Sequence, residues 1–423
     1  MSLHLFARSR VALGLAAVLW SLVAVGAEAV PSPLSLEAAV RQGLTHAPLL
    51  ESRQLTLDAM REEAVRAGRL PDPTLTTGLA NFPVTSPGAF SLTSDSMTMR
   101  TLGVTQALPS RAARQAERRL ADAQIDAAEA DHVATVQTVQ ERIADAWIEV
   151  WAAEQARMQL DALREESALA TRLTEARLRG GTGNAADPLA ARSEAAALAN
   201  RVTAIEADLA AARASLARWL PDAPSTLADA PDFGQLPVPT EQLQRRIDQQ
   251  ASMQTWQARE KVAEAVLEQA RASKHPDWSI GLTYGQRARG LSDMVMVEVG
   301  VSLPLFTRNR QDRSISAKQS QWDAVQADHE DARRAQQEAI SRALAVWQGW
   351  GTQIQQYRDH LLPLARDRAA TALAGYRGGG ELDPWLQARR DEIELRLAYV
   401  NALASRARLW AAMAYLLPSE TTP

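Results

Sequence analysis

The 423-residue chain has no cysteine, which removes disulfides, thiolate metal sites and a lipid-anchoring thiol from consideration. It also lacks a charge bias. The formal net charge is −4, too balanced to give the basic footprint of a nucleic-acid binder. Catalytic patterns are missing as well: there is no glycine-rich phosphate loop after a strand, no His-Glu-x-x-His, no nucleophile elbow and no serine paired with His and Asp. No enzyme activity and no cofactor are expected. The most telling absence is local. From Arg111 to Arg179 there is neither glycine nor proline, and a continuous helix of that length extends roughly 100 Å. Globular helices are not that long.

The N-terminus sets the compartment. Arg8 and Arg10 precede the apolar run Val11 to Val25, and Ala27-Glu28-Ala29 supplies small residues at a cleavage site, so residues 1–29 read as a secretory signal peptide. The competing reading is an inner-membrane anchor, but the run falls short of the ~20 residues a spanning helix needs. No other stretch approaches one.

Two periodicities follow. In the segment returning from the long helix, Leu198, Val202, Ile205, Leu209, Ala212, Leu216 and Trp219 are spaced as a coiled-coil seam. Ile393, Leu397, Val400, Ala404, Ala407, Ala411 and Ala414 repeat those steps, with alanines that permit close helix approach. A coiled-coil rod would explain the helices, but not the strands. Trp278, Ile280, Leu282 and Tyr284 alternate with Ser279, Gly281, Thr283 and Gly285. After the turn-prone Arg287-Ala288-Arg289-Gly290, Val295, Val297, Val299, Val301 and Leu303 alternate with Met294, Met296, Glu298, Gly300 and Ser302. Strands of ~10 residues with one apolar face suit a membrane barrel. Thr74 to Phe82 and Met97 to Leu108 are the weaker counterpart.

The chain is also written twice. Gly103 and Gly300, His132 and His329, and Pro221 and Pro418 are each 197 residues apart, and Arg179 and Arg377 are 198 apart. A period of that size marks a duplicated half-molecule rather than a solenoid. The expected organisation is a signal peptide (1–29), a first repeat (30–220) with strands near 73–108, a Pro-rich linker (221–239), a second repeat (240–418) with strands near 277–305, and a tail (419–423). Four strands cannot close a barrel, so other copies of the chain must pair the edges. Three copies supply twelve strands, and Trp278 and Tyr284 would then sit near the two interfacial belts. The fold class is mostly α with a membrane β-barrel above a long helical coiled-coil barrel.

With these features the chain resembles the outer membrane factor family of tripartite efflux systems, the TolC-like proteins, and within it the heavy-metal branch of CzcC-like and CusC-like channels. Tyr376-Arg377-Gly378 and the stretch to Leu386-Gln387-Ala388-Arg389, with Leu362-Pro363 upstream, are similar to the family's hairpin tip. The resemblance implies a homotrimer in the outer membrane of a Gram-negative bacterium, with a large periplasmic portion, contacting outer-membrane lipid and no nucleic acid. It implies passive export of substrates, heavy-metal cations in this branch, delivered by an inner-membrane RND pump and a periplasmic adaptor. Drug efflux or type I protein secretion through the same kind of duct is the alternative, and a periplasmic coiled-coil adaptor is a further one.

The tips carry the expected contacts. Gly180, Gly181 and Gly183, and Gly378, Gly379 and Gly380, permit a tight reversal, while Arg179 and Arg377 complement the helix dipole; the resemblance makes these tips the adaptor-docking site. The family's paired gate acids are kept only in part: Asp187 and Asp383 are present, with Ala190 and Gln387 at the second positions. They form a candidate periplasmic gate, and each precedes a proline as a helix cap does. Two groups are candidate transient metal contacts. Met97, Met99, Met294 and Met296 form Met-x-Met pairs at repeat-equivalent positions, with soft sulfurs suited to Cu(I) or Ag(I). His132 and His329 each follow an Asp, as solvated helix-face residues or as ligands for a borderline divalent ion. The register that points Met294 and Met296 at the lumen turns Arg100 toward lipid, which predicts a bulge in the second strand.

Overall fold

The computed structural model describes residues 33–85 and 87–417. The expected signal peptide, Pro418 and the expected tail lie outside these residues. Two helices open the described residues, α1 (Leu36–Thr45), capped by the Ser35 hydroxyl, and α2 (Pro48–Arg66). Gly68, at φ +63°, turns α2 toward the first strand; a Cβ there would lie 2.4 Å from the Arg114 carbonyl, so only glycine fits. The strands β1 (Thr74–Ala80) and β2 (Met99–Leu108) lead directly into α3 (Arg111–Arg179), one unbroken helix of 69 residues, and α4 (Ala186–Ala217) returns along it.

The second repeat follows the same order. After α5 (Thr240–Arg245) come α6 (Ala251–Ala272), β3 (Trp278–Gln286), β4 (Met294–Val301) and α7 (Gln311–Gln356). A π-helical turn at Tyr357–Leu361 joins α7 to α8 (Leu362–Arg377). Pro363 offers no N–H to the preceding turn, and the π turn accommodates the broken ladder. The chain returns as α9 (Asp383–Ala414). Among the described residues no helix is long and apolar enough to cross a membrane, a statement that does not bear on strands.

The seams are buried where the heptads place them. Leu160, Leu163, Leu198, Val202 and Ile393 form one cluster joining α3, α4 and α9. A larger one gathers Trp147, Ile143, Leu209, Leu216, Trp219, Ala407 and Ala411. Indole Nε1 groups of two clusters find loop carbonyls: Trp147 of this one donates to Leu34 O (2.9 Å), and Trp347, in a second cluster with Leu243, Ile340 and Met413, donates to Phe233 O (3.1 Å). Trp410 donates to Gln235 O at 2.7 Å. The Pro-rich segment 221–239 is thereby strapped onto the helices; buried indoles need such partners.

All four strands form one antiparallel sheet in the order β1-β2-β3-β4. β2 of the first repeat pairs with β3 of the second from Arg100↔Gln286 to Leu108↔Trp278, and its register with β1 runs from Ala80↔Met99 to Thr74↔Thr105. Both ladders are continuous through Arg100, so the expected bulge is absent. The reason is position: Arg100 lies at the strand end beside Gln286, in a polar rim rather than mid-sheet.

Candidate functional site

The sheet has two chemically distinct faces. The paired register puts Leu75, Leu79, Leu102, Val104, Leu108, Trp278, Ile280, Leu282, Tyr284, Val295, Val297, Val299 and Val301 on one side. All but the half-buried Leu108 are exposed, with Val297 at 72% and Leu75 at 68%. An apolar face of this size in contact with water is untenable for an isolated soluble domain. The other face carries Thr74, Thr76, Thr101, Thr105, Ser279, Thr283, Glu298 and several glycines. Among the described residues the outer edges of β1 and β4 are unpaired, and open edges recruit further strands.

Met294 and Met296 lie on the polar face, paired with Gly285 and Thr283. Met99 is on that face too but is buried against Gly285, and Met97 sits in the turn before β2, exposed. The four are not equivalent in structure despite their equivalent spacing. The histidines differ as well. The His329 ring stacks on Trp256, Nδ1 lies 2.8 Å from Glu260 Oε1, and Nε2 is buried without a partner. His132 is half-buried on α3. Neighbours on a helix point about 100° apart, and Asp328 is exposed where His329 is not. Among the described residues no group of three or more His, Asp or Glu could hold a metal ion.

At the other end lie the hairpin tips. Arg179 and Arg377 end the arriving helices, and Gly180 and Gly378 are their C-caps. Gly181 (φ +72°) and Gly379 (φ +104°) make the reversal through the left-handed region. A Cβ on Gly183 would meet Leu178 N at 2.9 Å, and one on Gly380 would meet the Gly375 carbonyl at 3.0 Å.

The acids after the turns do not cap their helices. Ala185 and Leu382 occupy the N-cap positions and neither Asp makes a capping bond; at the first tip the Asn184 side chain accepts from Ala186 N–H instead. Both Asp still lie in the first turn, where a negative charge opposes the helix dipole favourably. Asp187 has another task. Its carboxylate accepts the Tyr376 hydroxyl (3.3 Å), while Asp383 stays exposed.

Tyr376 is the centre of a bracket that joins the two repeats. The Arg177 guanidinium stacks over its ring at 4.4 Å and donates from Nη1 to the Tyr376 carbonyl at 2.6 Å, and from Nη2 to Thr182 O. Trp385 also stacks on the Tyr376 ring, with centroids 6.3 Å apart, and Ala170, Ala191, Leu382 and Leu386 complete the cluster. Burial, with the Asp187 carboxylate behind it, pushes the Tyr376 phenol above its ordinary range, so it is a hydroxyl donor at neutral pH. Arg177 was not singled out in the sequence; its only signal there is an Arg two residues before Arg179.

Above the tips the helices hold a buried ionic cluster. Glu392 is 1% exposed and lies between Arg389 (2.7 Å) and Arg396 (2.6 Å). Arg396 also donates to Gln159 and Arg389 pairs with Glu166, both on α3. Higher still, Asp145 is pushed up to about 6, mainly by burial and then by Glu141, against the pull of Arg408.

No family model matches the chain, and no curated protein matches it significantly. Solved structures do. The outer-membrane channel OprN aligns with TM-score 0.75 at 19% identity, over 90% of this chain and 89% of its own. A membrane protein from Pseudomonas aeruginosa aligns with TM-score 0.77 at 18% identity, covering 90% and 93%. The outer membrane protein VceC from Vibrio cholerae gives 0.72 at 18%, covering 90% and 95%. With this topology, a two-faced open sheet above long paired hairpins, the chain has the fold of the outer-membrane channels.

Proposed function

We propose that the chain is the outer-membrane channel of a tripartite efflux system, a member of the outer membrane factor (TolC-like) family acting as a homotrimer. The observation that carries this reading is the sheet: an exposed apolar face, a polar opposite face and two open edges are what one third of a membrane barrel requires. Trp278 and Tyr284, at the two ends of β3 on the apolar face, suit the interfacial belts. The helices prolong the pore into the periplasm, and the glycine tips meet a periplasmic adaptor coupled to an inner-membrane RND pump. Residues 30–220 and 240–418 act as the two repeats after removal of residues 1–29.

For the cargo, the resemblance to the heavy-metal branch favours cations, and Glu298, Met294 and Met296 on the polar face are compatible with their passage. Asp187 and Asp383 remain the acids proposed at the entrance, with Asp383 the freer of the two.

The test is direct. Full-length protein expressed in a Gram-negative host should fractionate with the outer membrane, run as three copies by light scattering after detergent extraction, and conduct ions in planar bilayers. A monodisperse monomer that conducts, or a soluble protein that does not insert, would sink the proposal.

A further inference from the structure

The polar face of the sheet carries one charge. Hydroxyls, glycines, alanines and methionines occupy the rest of it, and Glu298 of β4 is the only ionisable side chain that the four strands turn to that side. The duplication did not supply a second. Thr101 stands at the repeat-equivalent position, 197 residues earlier.

The ladders fix the height of that charge. Glu298 pairs with Gly281, Gly281 with Thr105 and Thr105 with Thr74, so the four form one row across the sheet. Gly281 lies midway along β3 between Trp278 and Tyr284, the aromatic residues that bound the apolar band on the opposite face. The carboxylate therefore stands at mid-height of the band, on the side turned away from it. Its row leaves it room: a Cβ added to Gly281 would already meet Thr105 Oγ1 at 3.4 Å and Glu298 Cβ at 3.5 Å. Glu298 is exposed, and among the described residues it has neither a hydrogen bond nor an ion pair. A bare carboxylate at this depth is tolerable only against water.

Resting on the trimeric-barrel reading, we infer that three copies of Glu298 form a ring that makes the barrel itself selective for cations over anions. Twelve strands spaced ~4.8 Å apart and tilted ~40° enclose a backbone radius of about 12 Å. The glutamate side chain reaches inward from that wall, which leaves its carboxylate within about one Debye length of the axis, ~10 Å at 0.1 M salt. Every ion that crosses the row feels the ring. The low-dielectric band behind the wall strengthens the field, and no basic side chain of the four strands shares that face to offset it. Acidic rings select cations in this way. Cations and anions respond oppositely, so about one kT of negative potential at the row multiplies their ratio by about sevenfold. Asp187 and Asp383 lie beyond the long helices, at the other end of the chain, and the ring acts independently of them.

Reversal potentials in planar bilayers under a KCl gradient test this with the full-length protein. The parent should prefer cations. Glu298→Gln keeps the side chain's length and should lower the ratio of potassium to chloride permeability by about sevenfold at ~0.1 M salt, and by much less at ~1 M, where the Debye length is ~3 Å. Adding Thr105→Glu returns a carboxylate to the same row from β2 and should restore the ratio. In the Asp187→Asn, Asp383→Asn background, Glu298→Gln should still lower it. A parent without cation preference, an unchanged ratio in Glu298→Gln, or no recovery in conducting trimers that carry Thr105→Glu overturns the inference; if the relocated carboxylate prevents assembly, Glu298→Gln decides alone. A parent that extracts as a monomer, or that does not conduct, refutes instead the trimeric channel on which the ring rests.

Discussion

Replacing Tyr376 with Phe isolates the weakest part of the bracket. The ring, its stack on Trp385 and the Arg177 cation over it are all preserved; the lost interaction is the hydroxyl donation to Asp187 at 3.3 Å. A single such bond contributes about 1 kcal/mol net, and the exposed side of the carboxylate rehydrates, so separation of the tips should become about fivefold more frequent. Adding Arg177→Ala removes the cation over the ring, about 1 kcal/mol, and a charged hydrogen bond to the Tyr376 carbonyl, about 1.5–3 kcal/mol. The double variant should open the tips at least tenfold more than Tyr376→Phe alone. Amide hydrogen exchange of segments 176–184 and 374–382 in detergent-extracted protein reads this, with segment 139–150 in the core as the internal control. Equal exchange at the tips in the parent and the double variant would refute the bracket as a restraint, as would acceleration of core and tips alike.

Glu392→Gln leaves Arg389 and Arg396 without their shared buried partner and should destabilise by about 3–5 kcal/mol, seen as a lower temperature for loss of the SDS-resistant oligomer; an unchanged temperature argues that water already reaches the pair. Asp145 has a folded pKa raised to about 6 from 3.8, so its contribution favours the folded state below the lower value and is lost as pH rises through the higher one. Asp145→Asn should therefore raise stability at pH 7.5 by about 1 kcal/mol, after discounting for its partial exposure, and leave it almost unchanged near pH ~3, below the unfolded value; thermal melts at the two pH values check the sign. Asp383→Asn should reduce cation selectivity in planar bilayers more than Asp187→Asn, because Asp187 is engaged by Tyr376, and the reverse order would remove Asp383 from the entrance. Changing Met97, Met99, Met294 and Met296 together to Leu keeps apolar volume and should lower copper or silver tolerance without affecting cobalt, zinc or nickel; equal tolerance to every metal at equal expression rules out the sulfurs.

Much of the architecture was legible because it rests on local periodicity. The absence of glycine and proline over Arg111 to Arg179 allowed one helix, and the structure has one with those bounds. Strict alternation in β3 and β4 separated an apolar from a polar face, and the paired register kept them separate. Local signals failed where a position depended on its surroundings. Asp before Pro reads as a cap, yet Ala185 and Leu382 begin the helices, because the length of each glycine turn sets where the helical hydrogen bonds start. Arg100 reads as a charge in lipid until the ends of the pairing put it at a rim.

The sequence by itself determined the elements, the duplication and the places where the chain reverses, since each follows from residues close together along the chain. Contacts between repeats required the tertiary structure. Arg177 and Tyr376 are 199 positions apart, and nothing in either neighbourhood announces that one will stack on the other. Glu392, Arg389 and Arg396 look like an ordinary solvated helix face; only the packing of α9 against α3 buries them. Helix periodicity fixes which residues share a stripe, but the partner that covers the stripe, and so the dielectric around its charges, is decided by the fold.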